Sequence, residues 1–260
     1  MTTTGRMTGR LSGLVALVTG ASSGIGEATA RALAEQGAAV ALVARRRERL
    51  DQLAGDIAQQ GGRALVIEAD VAEQAQAQEA VERAARELGR LDIVINNAGV
   101  MLLGPVEGAP LEEWERMIGI NVRGLLYIAH AALPHLLRAA EDAPRRVADL
   151  VNISSVGGRR PRRGSGVYNL TKFGVGAFSE SLRQEVTTRH VRVALVEPGA
   201  VKTELLSHLR PEIEAPTRQR HEGMERLEAT DIADAIVYMV TRPRHVAINE
   251  LLILPTEQEV

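Results

Sequence analysis

The stretch "TGASSGIG", Thr19 to Gly26, joins the apolar run "LVALV" to a segment of helical period, "EATARALAEQG". Glycine weakens regular elements, so three glycines between a strand and a helix need a reason. A diphosphate supplies one, because the first N–H groups of a helix are unpaired and its dipole favours an anion. In that arrangement Gly20 permits the tight turn, Gly24 the close approach of the ligand, and Gly26 the packing of helix on strand. A tight turn without a ligand is the alternative.

Short aliphatic runs alternate with longer helical segments along the rest of the chain. Repeated βα units of this kind predict a parallel sheet with helices on both faces. A chain of 260 residues can form one such domain. We therefore predict an α/β, single-domain Rossmann fold with a doubly wound, seven-stranded parallel sheet. The predicted strands are 14–19, 38–44, 63–69, 91–96, 147–153, 191–197 and 250–254, and the predicted helices are 24–36, 46–60, 73–89, 111–140, 165–189 and 230–241.

Two segments depart from this alternation. Residues 1–12 are predicted to be a flexible tail ahead of a Rossmann-type domain at 13–260. Residues 204–228 are polar, contain two prolines and show no clear period. A long connection of that kind is often functional, so we predict a substrate lid there.

Composition excludes several classes of function. The formal charge of −2 gives no general attraction to nucleic acid. The absence of cysteine excludes disulfides, thiolate metal sites and a cysteine nucleophile, and the six dispersed histidines suggest no metal site. The start lacks the apolar core of a signal peptide, and no run reaches the roughly 18 apolar residues of a membrane span. We expect a cytoplasmic protein without a membrane partner.

The end of the second predicted strand indicates which dinucleotide would bind. An acidic residue there receives the ribose hydroxyls of NAD, whereas arginine accommodates the 2′-phosphate of NADP. This chain has Ala44 followed by Arg45 and Arg46, which favours NADP(H). The alternative is a solvated first helical turn, where the dipole mildly disfavours arginine. Asp70 and Val71, after the third strand, are candidate adenine contacts, with a helix N-cap as the alternative for Asp70.

Tyr168 and Lys172 lie four residues apart and therefore on one face of a predicted helix. A tyrosine has a pKa of about 10, so its use as an acid or base near neutral pH calls for a cation that stabilises the phenolate. Lys172 is placed to be that cation. The upstream serines of "NISS" can donate a hydrogen bond to a substrate carbonyl. A surface Tyr–Lys pair is the alternative.

With these motifs in order, the chain resembles the short-chain dehydrogenase/reductase family from about Leu14 to Pro255. The resemblance rests on "TGASSGIG" (19–26), "NNAG" (96–99), Asn121 within "IGINVRG", "NISS" (152–155), "YNLTK" (168–172) and "PGAVKT" (198–203).

The resemblance implies a set of catalytic roles. Ser155 is the expected catalytic serine, with Ser154 as the alternative. Tyr168 would donate a proton to a carbonyl oxygen or remove one from an alcohol, while the nicotinamide exchanges hydride. Lys172 would lower the tyrosine pKa and hold the nicotinamide ribose, and Asn121 would anchor a water that links Lys172 to solvent.

Further cofactor contacts follow from the same resemblance. Asn96 is expected near the adenosine ribose, with the next residues bracing the central strand, and Thr203 is expected to bond the carboxamide or diphosphate. The full set of candidate cofactor residues is Gly20, Ser22, Ser23, Gly24, Ile25, Gly26, Arg45, Arg46, Asp70, Val71, Asn97, Ala98, Gly99, Tyr168, Lys172, Pro198, Gly199, Val201 and Thr203.

The substrate is less sharply defined by the sequence. Several stretches are similar to an actinobacterial subgroup that includes an NADPH-dependent reductase of a carboxylate-bearing aldehyde. The loop "VGGRRPRRGSGV" supplies Arg159, Arg160, Arg162 and Arg163 beside the predicted site, and arginine binds carboxylates well. An anionic substrate is therefore one hypothesis, and a basic solvated loop or an oligomer contact is the other. The resemblance also implies a homotetramer formed through helices 111–140 and 165–189.

The functional hypothesis is an NADP(H)-dependent enzyme that interconverts a small-molecule carbonyl and an alcohol. Alternatives within the family are a general ketoreductase, a 3-hydroxy acid dehydrogenase and a 3-oxoacyl thioester reductase. A protein that senses NADP without turnover is the non-enzymatic alternative. The arginine runs alone do not indicate a nucleic-acid binder, because the net charge is negative and aromatic residues are few.

Overall fold

The computed structural model describes residues 9–142, 144–219 and 222–259. Seven parallel strands form one sheet, which confirms the predicted α/β Rossmann fold and its strand count. The strands are β1 (Val15–Thr19), β2 (Ala39–Ala44), β3 (Arg63–Glu68), β4 (Ile93–Asn96), β5 (Ala148–Ile153), β6 (Val191–Pro198) and β7 (Glu250–Ile253).

The order of the strands places the ligand crevice. The strands lie across the sheet in the order β3-β2-β1-β4-β5-β6-β7. Successive strands are added in one direction from β1 to β3 and in the other direction from β4 to β7, so the order of addition reverses between β1 and β4. Central strands such as β1, β4, β5 and β6 are buried along their whole length, which explains their continuous apolar runs. In such sheets a ligand binds outside the carboxyl ends of the strands, at the reversal point.

Helices cover both faces of the sheet. One apolar layer includes Leu33, Leu53 and Ile236, and the opposite layer includes Leu136 and Leu182. This two-sided core is the doubly wound arrangement predicted from the βα alternation. No helix in the described part of the chain is long and apolar enough to cross a membrane. The helices are α1 (Gly24–Glu35), α2 (Arg47–Gln59), α3 (Gln74–Leu88), α4 (Leu111–Met117), α5 (Leu125–Glu141), α6 (Gly166–Val186), α7 (Pro211–Gln219) and α8 (Ala229–Val240).

The predicted single helix over 111–140 is interrupted. A π-helical turn at Ile118–Gly124 separates α4 from α5. A π-turn inserts one residue into the helical repeat, and the spacing of apolar residues did not predict this insertion. Such turns often occur at functional sites. Here the turn carries Asn121.

The amino-terminal boundary of the domain lies earlier than residue 13. Residues 1–8 of the predicted tail lie outside the described residues. Leu11 is fully buried, and its N–H donates to the carbonyl of Gln36 at 2.9 Å. Residues 9–12 therefore pack on the end of α1 as part of the domain.

The predicted lid contains regular structure that its sequence does not announce. Glu204–His208 forms a 3₁₀ turn and α7 follows it, while Val201 pairs with Leu227 in a single β-bridge. Pro211 begins α7, where proline is tolerated because the first helical N–H groups have no partner within the helix. The segment is thus attached to the main domain at both of its ends.

Candidate active site

A cavity of about 430 Å³ lies over the carboxyl ends of the central strands. We call it the central cavity. It brings together Arg46 near one end of the sheet, the glycine-rich turn, and Ser155, Tyr168 and Lys172. Of the predicted catalytic and cofactor residues, most line the cavity; Gly26, Asn96 and Asn121 do not.

The glycine-rich turn has a backbone that side chains would obstruct. Gly20 and Gly24 adopt φ of +67° and +56°, which L side chains rarely take. A Cβ on Gly26 would lie 2.4 Å from the carbonyl oxygen of Gly20 and 2.5 Å from Nδ2 of Asn97. Gly26 therefore serves helix–strand packing, while Ser22 to Ile25 present bare backbone to the cavity at the start of α1. This cradle fits a diphosphate.

Arg46 is fixed to that turn by three hydrogen bonds. Nε donates to Oγ of Ser22 at 3.1 Å, and Nη2 donates to Oγ of Ser23 at 2.7 Å and to the carbonyl of Ser22 at 3.4 Å. Nη1 contacts Oε2 of Glu204 at 2.8 Å. A guanidinium and two serine hydroxyls gathered at one point are suitable donors for a phosphate monoester.

Arg45 and the candidate adenine contact Asp70 form an ion pair at the cavity wall. Arg45 Nη1 lies 3.5 Å from Oδ2 of Asp70, whose Oδ1 accepts a hydrogen bond from the N–H of Ala72 at 3.0 Å. Asp70 does not cap α3, because the N-cap position belongs to Glu73. Asp70 and Val71 both line the cavity.

The two asparagines of "NNAG" exchange the roles expected of them. Asn96 is buried and donates to Oδ1 of Asn152 at 3.0 Å, so it joins β4 to β5. Asn97 lines the cavity and donates to the carbonyl of Thr19 at 2.9 Å. The expectation that Asn96 lies near the adenosine ribose is wrong, because its side chain points into the sheet layer. Ala98 and Gly99 continue along the cavity wall.

Tyr168 and Lys172 lie on α6 with their side chains buried at the cavity. The lysine Nζ is 6.0 Å from the centroid of the tyrosine ring and donates to the carbonyl of Ile153 at 2.8 Å. Ser155 lines the cavity beside Tyr168, and its Oγ accepts from the N–H of Gly157 at 3.0 Å. The structure thus brings the predicted Ser–Tyr–Lys set to one place.

The pKa values in this set differ from the simple expectation. Burial raises the pKa of Tyr168, and a hydrogen bond with Ser155 opposes that rise. Burial lowers the pKa of Lys172 to about 8. Lys172 is not among the groups that shift the Tyr168 pKa, and its ammonium donates instead to the carbonyl of Ile153. Tyr168 is held as a neutral phenol, a proton donor.

Ser154 and Asn121 support the set through hydrogen bonds. Ser154 is buried at the cavity wall, and its Oγ donates to the carbonyl of Lys172 at 3.0 Å, so its hydroxyl is already engaged with α6. Asn121 exchanges two 2.8 Å hydrogen bonds with the backbone of Val100 and donates to Oγ1 of Thr171 at 3.2 Å. The Asn121 amide thus joins the loop that follows β4 to α6.

The segment after β6 forms the wall opposite the tyrosine. Pro198, Gly199, Val201 and Thr203 line the cavity as predicted from the motif. A Cβ on Gly24 would lie 3.0 Å from Cγ2 of Thr203, so Thr203 rests against the glycine-rich turn.

Gln258 completes this wall from the carboxyl-terminal segment. Its Oε1 accepts from the N–H of Ala200 at 2.8 Å. The residue lines the cavity, and sequence reasoning missed it because its surrounding run is polar and has no motif.

The arginine loop divides into structural and cavity-facing members. Arg159 is not at the cavity: its Nε lies 2.5 Å from Oε2 of buried Glu197, and its Nη2 lies 2.7 Å from Oε2 of Glu250. Two carboxylates thus hold Arg159, and it is not one of the arginines of this loop that line the cavity. Arg163 does not line the cavity either, whereas Arg160 and Arg162 do.

Arg116, His208 and Arg226 also line the cavity and were not predicted as site residues. Burial lowers the pKa of His208, and Arg116 and Arg46 contribute to that direction. The guanidiniums of Arg160 and Arg226 have no hydrogen-bond or ion-pair partner among the described residues. The only acids that line the cavity within the described ranges are Asp70, which pairs with Arg45, and Glu204, which pairs with Arg46.

No group of three or more histidine and acidic side chains in the described ranges is arranged to hold a metal ion.

Comparison with known proteins agrees with this geometry. The family model described as short chain dehydrogenase matches residues 14–214. An uncharacterised oxidoreductase of Staphylococcus aureus (strain MRSA252) is 36% identical over 241 residues, which are 93% of this chain and 96% of the relative.

Two solved structures illustrate the likeness in three dimensions. The closed form of serine dehydrogenase complexed with NADP+ has a TM-score of 0.86 at 32% identity, covering 95% of this chain and 97% of that one. The 3-ketoacyl-(acyl-carrier-protein) reductase from Brucella melitensis complexed with NADH has a TM-score of 0.83 at 31% identity, covering 95% and 98%.

Proposed function

Since the chain belongs to the short-chain dehydrogenase family, we propose that it is an NADP(H)-dependent oxidoreductase that interconverts a carbonyl and an alcohol. The observation that carries this proposal is the pairing within one cavity of buried Tyr168 and Ser155 with Arg46 on the glycine-rich turn. Tyr168 and Ser155 are suited to proton transfer, and Arg46 is suited to binding a phosphorylated cofactor.

Tyr168 acts as the acid in the direction of reduction. Its raised pKa keeps the phenol protonated at neutral pH, so its O–H can donate to a carbonyl oxygen. A nicotinamide cofactor held by the glycine-rich turn and Arg46 would supply the hydride in reduction and accept it in oxidation. Ser155 hydrogen-bonds the same substrate oxygen and the phenol, which orients both. In oxidation the phenolate of Tyr168 removes the alcohol proton.

Lys172 and Asn121 prepare this acid. The ammonium of Lys172, with a pKa of about 8, exchanges protons near neutral pH and can return one towards Tyr168 after each turnover. Its hydrogen bond to the carbonyl of Ile153 fixes its position. Asn121 keeps the Val100 backbone and α6 at a constant separation.

The preference for NADP(H) rests on Arg46. Its position on the serine hydroxyls of the turn suits a 2′-phosphate, and the second strand ends in Ala44 rather than an acid. One structural neighbour carries NADP+ and another NADH, so cofactor choice is set locally within the shared fold.

The substrate proposal is a carbonyl compound that bears a carboxylate. Arg160 and Arg226 line the cavity without a partner among the described residues. Arg160 follows the Ser155 loop, and the backbone beside Arg226 pairs with Ala200 and Lys202 on the opposite wall. Two guanidiniums without a partner in the cavity that holds Tyr168 favour an anionic substrate.

One specific candidate substrate is clavaldehyde. The sequence is similar in several stretches to clavulanic acid dehydrogenase, which would place the enzyme in antibiotic biosynthesis. A general ketoreductase, a 3-hydroxy acid dehydrogenase and a 3-oxoacyl thioester reductase are the alternatives within the same chemistry, and turnover of a thioester without any carboxylate would favour the last. An NADP-sensing protein is the alternative without turnover.

We also propose a cytoplasmic homotetramer. Leu170 and Phe173 on α6, Tyr238 on α8 and Leu252 on β7 are exposed apolar side chains that association of subunits would cover.

A panel of aldehydes and ketones tests the enzymatic proposal, with each carboxylate paired with its methyl ester. Oxidation of NADPH should be faster with the carboxylates. Arg160→Ala and Arg226→Ala should each lower kcat/KM for a carboxylate about tenfold and leave the ester almost unchanged, since a charge-assisted hydrogen bond contributes about 1.5–3 kcal/mol.

Arg163→Ala is the matched control, because it removes an arginine from the same loop but not from the cavity wall. Equal rates for acid and ester in the wild type would remove the anionic substrate and leave a general ketoreductase. NADPH binding without turnover of any carbonyl would favour the sensing protein.

A further inference from the structure

Glu204 places a carboxylate on Arg46, which the proposed function assigns to the 2′-phosphate, and on Arg49 of the same run. Its Oε2 lies 2.8 Å from Nη1 of Arg46, and its Oε1 lies 3.3 Å from Nη1 of Arg49. Each carboxylate oxygen therefore faces its own guanidinium. Ser23 also hydrogen-bonds the Glu204 side chain, and together these groups lower the pKa of Glu204, with Arg46 the largest cause. Two guanidiniums and a hydroxyl around one anion are the donors that a phosphate monoester needs.

The carboxylate of Glu204 comes from a part of the chain far from the arginines at 45–49. Arg47 pairs with Asp51 inside α2, at 3.4 Å. Glu204 instead comes from the 3₁₀ turn that follows Thr203, 158 positions from Arg46 in the chain. Because Thr203 rests against Gly24, the turn at Glu204–His208 reaches across the mouth of the cavity to the glycine-rich turn.

From these contacts we infer that Glu204 competes with the cofactor's 2′-phosphate for Arg46 and so sets how strongly the protein prefers NADP(H). The inference rests on the assignment of Arg46 to that phosphate under the proposed function. A phosphate monoester carries about −1.5 to −2 charges near neutral pH, and a second anion cannot share the same donors without repulsion. The phosphate must displace the carboxylate, whereas a nucleotide without the phosphate leaves the Glu204–Arg46 contact intact.

The contact also links the glycine-rich turn to the 3₁₀ turn that follows Thr203. That turn carries Leu205 and Leu206, which line the cavity. Because the carboxylate and the 2′-phosphate compete for one guanidinium, any change that weakens the Glu204–Arg46 contact strengthens binding of the 2′-phosphate.

Titration calorimetry of wild type and Glu204→Gln with 2′,5′-ADP and with 5′-AMP tests the inference without turnover. These fragments share the adenosine and 5′-phosphate and differ in the 2′-phosphate. Glu204→Gln should lower the Kd for 2′,5′-ADP about three- to tenfold, and this gain should exceed any gain for 5′-AMP at least threefold. The size follows from exposed ion pairs to two arginines.

Asp51→Asn is the matched control. It also removes a carboxylate that pairs with an arginine of the 45–49 run, but Asp51 does not line the cavity. It should leave both Kd values within about twofold. An unchanged or higher Kd for 2′,5′-ADP in Glu204→Gln, or an equal gain for both fragments, would overturn the competition.

The wild type separates this failure from failure of the proposed function. A wild type that binds 2′,5′-ADP more tightly than 5′-AMP, with Glu204→Gln unchanged, would overturn the role of Glu204 and leave Arg46 in place. A wild type that binds both fragments equally would overturn the NADP(H) assignment and the inference together.

Discussion

Tyr168→Phe is expected to lower kcat by about a thousandfold while the Kd for NADPH stays within about twofold. The change removes the phenolic oxygen and keeps the ring, which is buried against Met117 and Val100. Tyr168 is the only tyrosine among the described residues that line the cavity. Loss of the proton donor therefore acts on the chemical step, and the packing that shapes the cavity is retained. Stopped-flow kinetics with NADPH in excess would separate the chemical step from cofactor binding.

Tyr238→Phe provides the control, because it makes the same substitution on exposed Tyr238 of α8. Its kcat should equal that of the wild type. A Tyr168→Phe enzyme that keeps more than about a tenth of the wild-type kcat would contradict the assignment of Tyr168 as the acid.

Arg46→Ala is expected to raise the Kd for NADP+ about ten- to a hundredfold and to change the Kd for NAD+ less than threefold. Hydrogen bonds between charged groups contribute about 1.5–3 kcal/mol, and a factor of ten corresponds to about 1.4 kcal/mol. Fluorescence titration with each nucleotide gives both constants. The NAD+ constant also reports on the glycine-rich turn, since Arg46 is bonded to Ser22 and Ser23.

Arg47→Ala serves as the comparison, since Arg47 pairs with Asp51 and does not line the cavity. Both constants should stay near wild-type values in that variant. Equal weakening of NADP+ and NAD+ by Arg46→Ala would show that Arg46 supports the turn rather than the 2′-phosphate.

The parts of the structure that sequence reasoning predicted well are those set by local chemistry. Short apolar runs that alternate with helical segments predicted seven parallel strands, because strands buried on both faces require such runs. The three glycines correctly predicted a tight turn between β1 and α1. A Cβ at Gly20, Gly24 or Gly26 would disturb its backbone or packing.

The parts that it missed depend on side-chain direction and on contacts between distant segments. Asn96 and Asn97 are adjacent, and only strand register decides which one faces the cavity. Arg159 differs from Arg160 because Glu197 and Glu250 lie beside it, on strands that come later in the chain. The π-turn around Asn121 is likewise invisible to periodicity, since it adds one residue to a continuous helical pattern.

Burial also changed the expected electrostatics of the candidate catalytic pair. A spacing of four residues placed Tyr168 and Lys172 together on α6, as predicted. It did not indicate that the lysine would donate to the carbonyl of Ile153 or that burial would raise the tyrosine pKa. Direction of a side chain within a buried site is a tertiary property, and no local pattern encodes it.

Transfer of label from NADPH carrying deuterium at C4 of the nicotinamide tests the central claim most directly. With a carbonyl substrate, mass spectrometry should find a single deuterium on the carbinol carbon of the product from one of the two C4-labelled forms. The oxygen-bound proton should come from solvent, and Tyr168→Phe should form almost no labelled product in the same time. Product that carries no label from either form, or equal labelling by Tyr168→Phe, would contradict hydride transfer with Tyr168 as the proton donor.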